Sequence, residues 1–204
     1  METEADVRYA LEDLPMPLTL RPASPMSDDE LLRFCSANKG YQIEREPDGS
    51  LVINAPKGPF ASIRIGHFIC EFGQWAKEED GGGLMFINLG VILSDGSMRS
   101  PDIAWLSRER WENLTRHERE QFLRITPEFV AEIRCWTDSE AVLEARMLRW
   151  MNAGVQLGWL IDPERKLAII YRSGQEPETL IEPEFLEGEG HINGFRLKMQ
   201  EFWE

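Results

Sequence analysis

The apolar positions of this chain fall mostly into short runs that read as strands, broken by three stretches at helical spacing. SDDELLRFCSAN has Ser27 as an N-cap, acids in the first turn, and Leu31, Leu32 and Cys35 on one face, predicting a helix. Residues 41–46 and 50–55 are strands around a Pro-Asp-Gly turn, a hairpin signal. Glu44 and Glu46 alternate there with Ile43 and Arg45. Ile65, Phe68, Ile69, Phe72 and Trp75 make the buried stripe of a helix over residues 61–79. Residues 84–93 and 99–106 predict a second hairpin around Ser94-Asp95-Gly96, and residues 107–124 read as short helices.

The strand over residues 129–136 puts Val130, Glu132 and Arg134 on one face, with Phe129, Ala131, Ile133 and Cys135 on the other. Thr137 and Glu140 have capping-box spacing, and Leu143, Met147, Trp150 and Met151 carry a helix to a stop at Gly154. Strands at 157–162 and 166–172 follow. A polar excursion over 174–190 holds a short strand at 178–181, and residues 195–203 close the chain. Residues 1–24 form an arm, weakly amphipathic and then Pro-punctuated, expected to pack on the domain or on a neighbouring subunit. Residues 25–204 then suit one domain.

A hydrophobic fraction of 42% with 10% aromatics is that of an ordinary globular protein. No apolar run could span a bilayer, and no charged-then-apolar leader opens the chain. Three cysteines without CxxC spacing argue against a zinc site or disulfide framework and predict a cytoplasmic protein, Cys135 being a small core residue. His67, His117 and His191 form no constellation, and no GxSxG elbow appears. The net charge of −14 opposes indiscriminate nucleic-acid binding. A local patch is still available from Arg45, Lys57 and Arg64, with Arg99, Arg146 and Arg149 nearer the strand acids.

Those acids carry the candidate chemistry. Asp102 stands after Pro101 where a strand begins, and Glu132 stands inside another. If the two strands pair, the carboxylates meet and offer a site to a hard divalent cation. The alternative is a turn acid at Asp102 and a plain ion pair between Glu132 and Arg134 or Arg146.

RSPDIAWLSRERW, PEFVAEIR, the helix ending in NAG, and LGWLIDPERKLAIIYR resemble the putative restriction endonuclease family of the PD-(D/E)XK nuclease superfamily. YQIEREPDGSLVINAPKG and GFRLKMQEFW extend the resemblance over nearly all of residues 25–204. It implies an α/β fold: a restriction-endonuclease-like core, a mixed sheet flanked by helices, with N-terminal hairpin additions. It also implies DNA phosphodiester hydrolysis with Mg²⁺ or Mn²⁺ held by Asp102, Glu132 and the Ile133 carbonyl, and Glu44 as an additional acid. Arg134 matches the superfamily's strand lysine, and Arg146 the helix position to which many relatives move it. Guanidinium is a poor base, so a second reading is a catalytically inactive binding or regulatory module of the same fold. Seven Trp, the arm and the two-fold symmetry of duplex cleavage predict a homodimer.

Overall fold

The computed structural model describes residues 15–78, 82–136 and 138–204. In chain order the elements are β1 (Leu18–Leu20), α1 (Asp28–Ala37), β2 (Gln42–Arg45), β3 (Leu51–Asn54), α2 (Pro59–Glu78), β4 (Gly83–Ile87), β5 (Val91–Ile92) and β6 (Met98–Arg99). Then come β7 (Ile103–Ser107), α3 (Arg108–Glu112), α4 (Arg116–Arg119), β8 (Phe129–Ile133), α5 (Glu140–Asn152), β9 (Leu157–Asp162) and β10 (Leu167–Arg172). β11 (Glu178–Ile181), β12 (Phe185–Glu187), a 3-10 turn at Gly190–Ile192, β13 (Arg196–Lys198) and α6 (Gln200–Trp203) complete the chain.

The strands form a six-stranded sheet in the order β11-β10-β9-β8-β7-β4 and a five-stranded sheet in the order β1-β3-β2-β6-β5, with β12 and β13 paired apart. The larger sheet is mixed, because β8 and β9 run parallel across the α5 crossover while β7 and β8 are antiparallel. The alternation along β8 explains how it is covered on both faces. Phe129, Ala131 and Ile133 enter a cluster with Phe68 and Phe72 of α2. Val130 enters another with Leu143, Met147 and Trp150 of α5. Each fully buried side chain of this size stabilises the fold by roughly 1.5–3 kcal/mol. The sheet is thus flanked by a helix on either side, the predicted α/β architecture.

The second hairpin differs from its sequence reading. Residues 84–93 and 99–106 do not make two continuous strands. β4 pairs with β7 in the larger sheet, while β5 pairs with β6 in the smaller. The chain changes sheets at Asn88, which adopts φ 51°, and returns through Ser100-Pro101-Asp102. Gly90 lies in the first crossing, where an added Cβ would run into the Phe122 ring. Both crossings are set by turn-forming residues inside otherwise apolar runs.

Three further expectations are corrected. The N-cap of α5 is Ser139, with no side-chain cap bond, and Glu140 pairs with Arg165 instead; Thr137 lies outside the described residues. Cys135 falls beyond the end of β8 and is half-buried, not a core residue. Six of the seven Trp are buried or half-buried, so the Trp count gives no motive for a dimer. Of the arm, residues 1–14 lie outside the described residues, and its later part supplies β1, which pairs with β3.

Candidate active site

Asp102 sits where the chain re-enters the larger sheet, and it is completely buried. β7 and β8 pair with Ile103 opposite Ala131, so continuing that register by one residue sets Asp102 against Glu132. Asp102 Oδ2 accepts from the Ile133 amide at 2.9 Å. It also accepts from Lys57 Nζ at 2.6 Å, and the same ammonium donates to the Ile133 carbonyl at 3.3 Å. Lys57 comes from the loop between β3 and α2, and its side chain keeps 22% exposure. Asp102 Oδ1 is buried and has no hydrogen-bond partner.

Glu132, on the α5 face of β8, accepts from Trp150 Nε1 at 3.3 Å. Arg146, one turn before Trp150 on α5, brings Nε within 3.0 Å of the Glu132 carboxyl, though that N–H is not aimed for a hydrogen bond. Its Nη2 bonds Glu44 and donates to the Ser100 carbonyl at 3.2 Å. Glu44 also accepts from the Ser100 amide at 2.9 Å and lies 3.5 Å from Arg99. Arg146 therefore ties the smaller sheet, the Ser100–Asp102 crossing and β8 together.

The site is charged and largely buried, and its protonation follows from that. Burial pushes the Glu132 carboxyl up to about 7, with Asp102 and Glu44 adding to the shift while Arg146 and Lys57 oppose it. Burial works to lower Lys57, but the Asp102 and Glu132 carboxyls outweigh it and hold the ammonium above its usual range. Burial likewise disfavours the Arg146 cation, and its acid neighbours overcome that, so the guanidinium stays protonated.

A stability prediction follows from Glu132. Its folded value of about 7 lies above the ordinary 4.5, so between these values the native state keeps a proton that the unfolded chain has lost. The stabilisation is complete below about pH 4.5 and is lost as pH rises through about 7, a change on the order of 3 kcal/mol at most. Urea titrations from pH 5 to 8 should show the wild type losing stability more steeply than Glu132→Gln. Parallel pH profiles would refute the assignment.

The sequence candidates divide. Glu44, Asp102, Glu132, the Ile133 carbonyl and Arg146 come together. Arg134 leaves them and pairs with Asp162 at 2.8 Å, Glu164 at 3.5 Å and the Asp138 carbonyl. Arg45, read as part of a basic patch, is also held elsewhere, on Asp28. Lys57 was visible in the sequence only as a patch residue. NAPKG marks the end of a hairpin, and nothing local announces that its lysine reaches across to two core strands.

Among the described residues no three His, Cys, Asp or Glu gather around one point suited to a metal ion. Two carboxyls and a carbonyl nevertheless supply hard oxygen donors, and Oδ1 of Asp102 is a buried acceptor without a hydrogen-bond partner. The donor set therefore fits a hard divalent cation, at the cost of loosening Lys57 from its two oxygens.

A cavity of about 500 Å³ between the two sheets reaches this site, lined by Tyr41, Gln42, Lys57, Ser100 and Phe122 among others. The mixed sheet, the acid-bearing strand pair and the helix behind it make an α/β protein with a buried acidic site. The profile of the family described as "Uma2: Putative restriction endonuclease" matches residues 28–200, and the chain belongs to that family. Its fold is similar to the crystal structure of "a putative nuclease belonging to DUF820" from Anabaena variabilis ATCC 29413. The TM-score is 0.69 at 22% identity, covering 88% of this chain and 98% of that one. No curated protein matches the sequence.

Proposed function

We propose that this chain is a divalent-metal-dependent endonuclease that hydrolyses DNA phosphodiester bonds. The observation that carries the reading is Asp102, buried opposite Glu132 with one oxygen unpartnered and the other held by Lys57. Asp102, Glu132 and the Ile133 carbonyl would hold Mg²⁺ or Mn²⁺. When bound, the ion would neutralise the scissile phosphate and sharpen the attacking water. The chain's own groups do the rest. The Ile133 amide fixes the Asp102 carboxyl, and Asp102 in turn fixes the Lys57 ammonium. Lys57 faces the cavity with a proton at Nζ, placed to orient water or to steady a phosphate oxygen. Glu44 and Arg146 position the crossing that carries Asp102. Glu132 becomes a better ligand as it loses its proton, so metal affinity and cleavage should both rise with pH through about 7.

A second reading keeps the fold without turnover. It is favoured by one observation: Lys57 and Arg146 already neutralise the acids from within the chain. The soluble, cytoplasmic homodimer belongs to the proposal as well; among the described residues no helix is long and apolar enough to cross a membrane.

The test combines calorimetric titration of Mg²⁺ and Mn²⁺ with nicking of supercoiled plasmid, comparing wild type with Glu132→Ala. Wild type should bind the ion and nick, while Glu132→Ala should lose both, nicking by about 10²-fold or more. Metal binding without nicking would select the binding module. Equal binding by the two proteins would refute the site.

A further inference from the structure

In a chain with 36 acidic residues against 22 basic ones, the walls of the cavity beside Lys57 carry no carboxylate. Lys57 is the one charged side chain among the described residues that line it. At about 500 Å³ the cavity has the size that encloses one small ligand, and a paired, stacked duplex does not fit inside it.

The remaining walls are aromatic, aliphatic and neutral polar. Phe122 is seated on Gly90, where an added Cβ would come within 2.3 Å of the ring, and Tyr41 brings a second ring to the same cavity. Three neutral polar side chains of the lining keep hydrogen-bonding capacity. Gln42 Nε2 donates to the Ser100 carbonyl at 2.9 Å, which leaves the Gln42 amide oxygen free. Among the described residues, the Tyr41 hydroxyl and the Asn88 amide have no partner either. The cavity thus presents one cation, flat apolar walls, and a few neutral donors and acceptors.

Resting on the phosphodiesterase reading, we infer that the cavity is a pocket for one nucleotide, with its phosphate on Lys57 and its base edge read by Tyr41, Gln42 and Asn88. Each part of the ligand has its counterpart in the wall. The phosphate takes the single ammonium, in a space where no carboxylate repels it. The base has apolar faces for the apolar walls, and neutral donors and acceptors on its edge for the three polar side chains. A carboxylate on an aliphatic tail would use Lys57 but leave those three groups unpaired, at a cost in affinity. The Lys57–Asp102 bond then sets the phosphate of the held nucleotide beside the acids. Such a nucleotide comes either as a free monophosphate or as one unit of a strand turned out of its stack.

The experiment titrates the four deoxynucleoside 5′-monophosphates and deoxyribose 5-phosphate by calorimetry in EDTA, so that no metal intervenes. Wild type should bind at least one nucleotide about tenfold or more tighter than deoxyribose 5-phosphate. Tyr41→Phe and Asn88→Gly each remove one hydrogen-bonding group, and they should change the ranking of the four bases while leaving deoxyribose 5-phosphate unchanged. Both are mild for the fold, since the first keeps the ring and the second relieves the φ of 51° at Asn88. Ala55→Trp, made at an exposed position of the lining, should fill the pocket and abolish nucleotide binding. A duplex carrying one 2-aminopurine, which brightens on leaving the stack, distinguishes the sources. Brightening on binding assigns the pocket to a nucleotide of a strand, and nucleotide binding without brightening assigns it to a free monophosphate.

Equal affinity of wild type for the nucleotides and deoxyribose 5-phosphate would overturn the inference, as would nucleotide binding by Ala55→Trp at the wild-type level. A base ranking that neither Tyr41→Phe nor Asn88→Gly moves would overturn it too. So would the absence of nucleotide binding together with an unchanged 2-aminopurine signal. Plasmid nicking separates this inference from the nuclease reading. Base-selective binding in a protein that never nicks supports the pocket and removes the nuclease; nicking by a protein with no preference for nucleotides does the reverse.

Discussion

Lys57→Ala is expected to slow metal-dependent nicking by about 10²–10⁴-fold, the usual loss for a positioned acid–base or phosphate-contacting group. The expectation rests on one bifurcated contact: Nζ touches the Asp102 carboxyl and the Ile133 carbonyl, two of the oxygens proposed to hold a metal. Removing it takes a proton donor from the cavity. It also frees Asp102 from a competing cation. Metal binding should therefore tighten while turnover falls, a split that loss of folding would not produce. Lys57→Arg keeps the charge but not the compact ammonium, and it should remain slow. If Lys57→Ala nicks like wild type, Lys57 has no part in the chemistry.

The largest stability effect is expected at Arg146. Arg146→Ala leaves Glu44 and Glu132 facing one another across a buried space without the cation that separates them. Breaking a buried pair by removing one partner typically costs about 3–5 kcal/mol. At roughly 2–4 °C per kcal/mol for a chain of this size, the melting temperature should fall by roughly 6–20 °C. The loss should shrink on acidification, because a protonated Glu132 no longer needs the guanidinium, and Arg146→Ala with Glu132→Gln should recover part of it. The helix position invites the idea that Arg146→Lys would restore a missing lysine. With Lys57 on the acids and Arg146 spanning Glu44, Ser100 and Glu132, the expected outcome of Arg146→Lys is a modest loss of stability and no gain in nicking. Thermal melts and the nicking assay on the four proteins check both halves.

The core and its acids were readable in the sequence because they obey local periods. Alternation separated Val130 and Glu132 from Phe129, Ala131 and Ile133, and the two clusters on either side of β8 keep that division. The Ser27 N-cap, the helix carrying Met147 and Trp150, and the strand at Glu178–Ile181 followed from local pattern alone. What failed to show is what depends on the third dimension. The exchange of strands between sheets turns on Asn88 and Pro101, whose apolar neighbours look like uninterrupted strand. Arg134 shares a face with Glu132 by alternation, yet β8 ends at Ile133 and the side chain turns to Asp162 instead. Lys57 enters the site from a loop that lies 45 residues before its partner Asp102, a distance no motif spans.

The short strand β1 deserves a practical reading. It occupies the outer side of β3 through the pairs Leu18–Ile53, Thr19–Val52 and Leu20–Leu51, whereas the family match begins ten residues later, at 28. A protein trimmed to that boundary would leave the amides and carbonyls along Leu51–Asn54 open on a bare sheet margin. Such a margin recruits foreign strands, so the shortened chain would tend towards self-association and precipitation with its buried acids in place. The leading segment is in this sense a solubility device, and poor behaviour of a truncated preparation would say nothing about the chemistry of the acids.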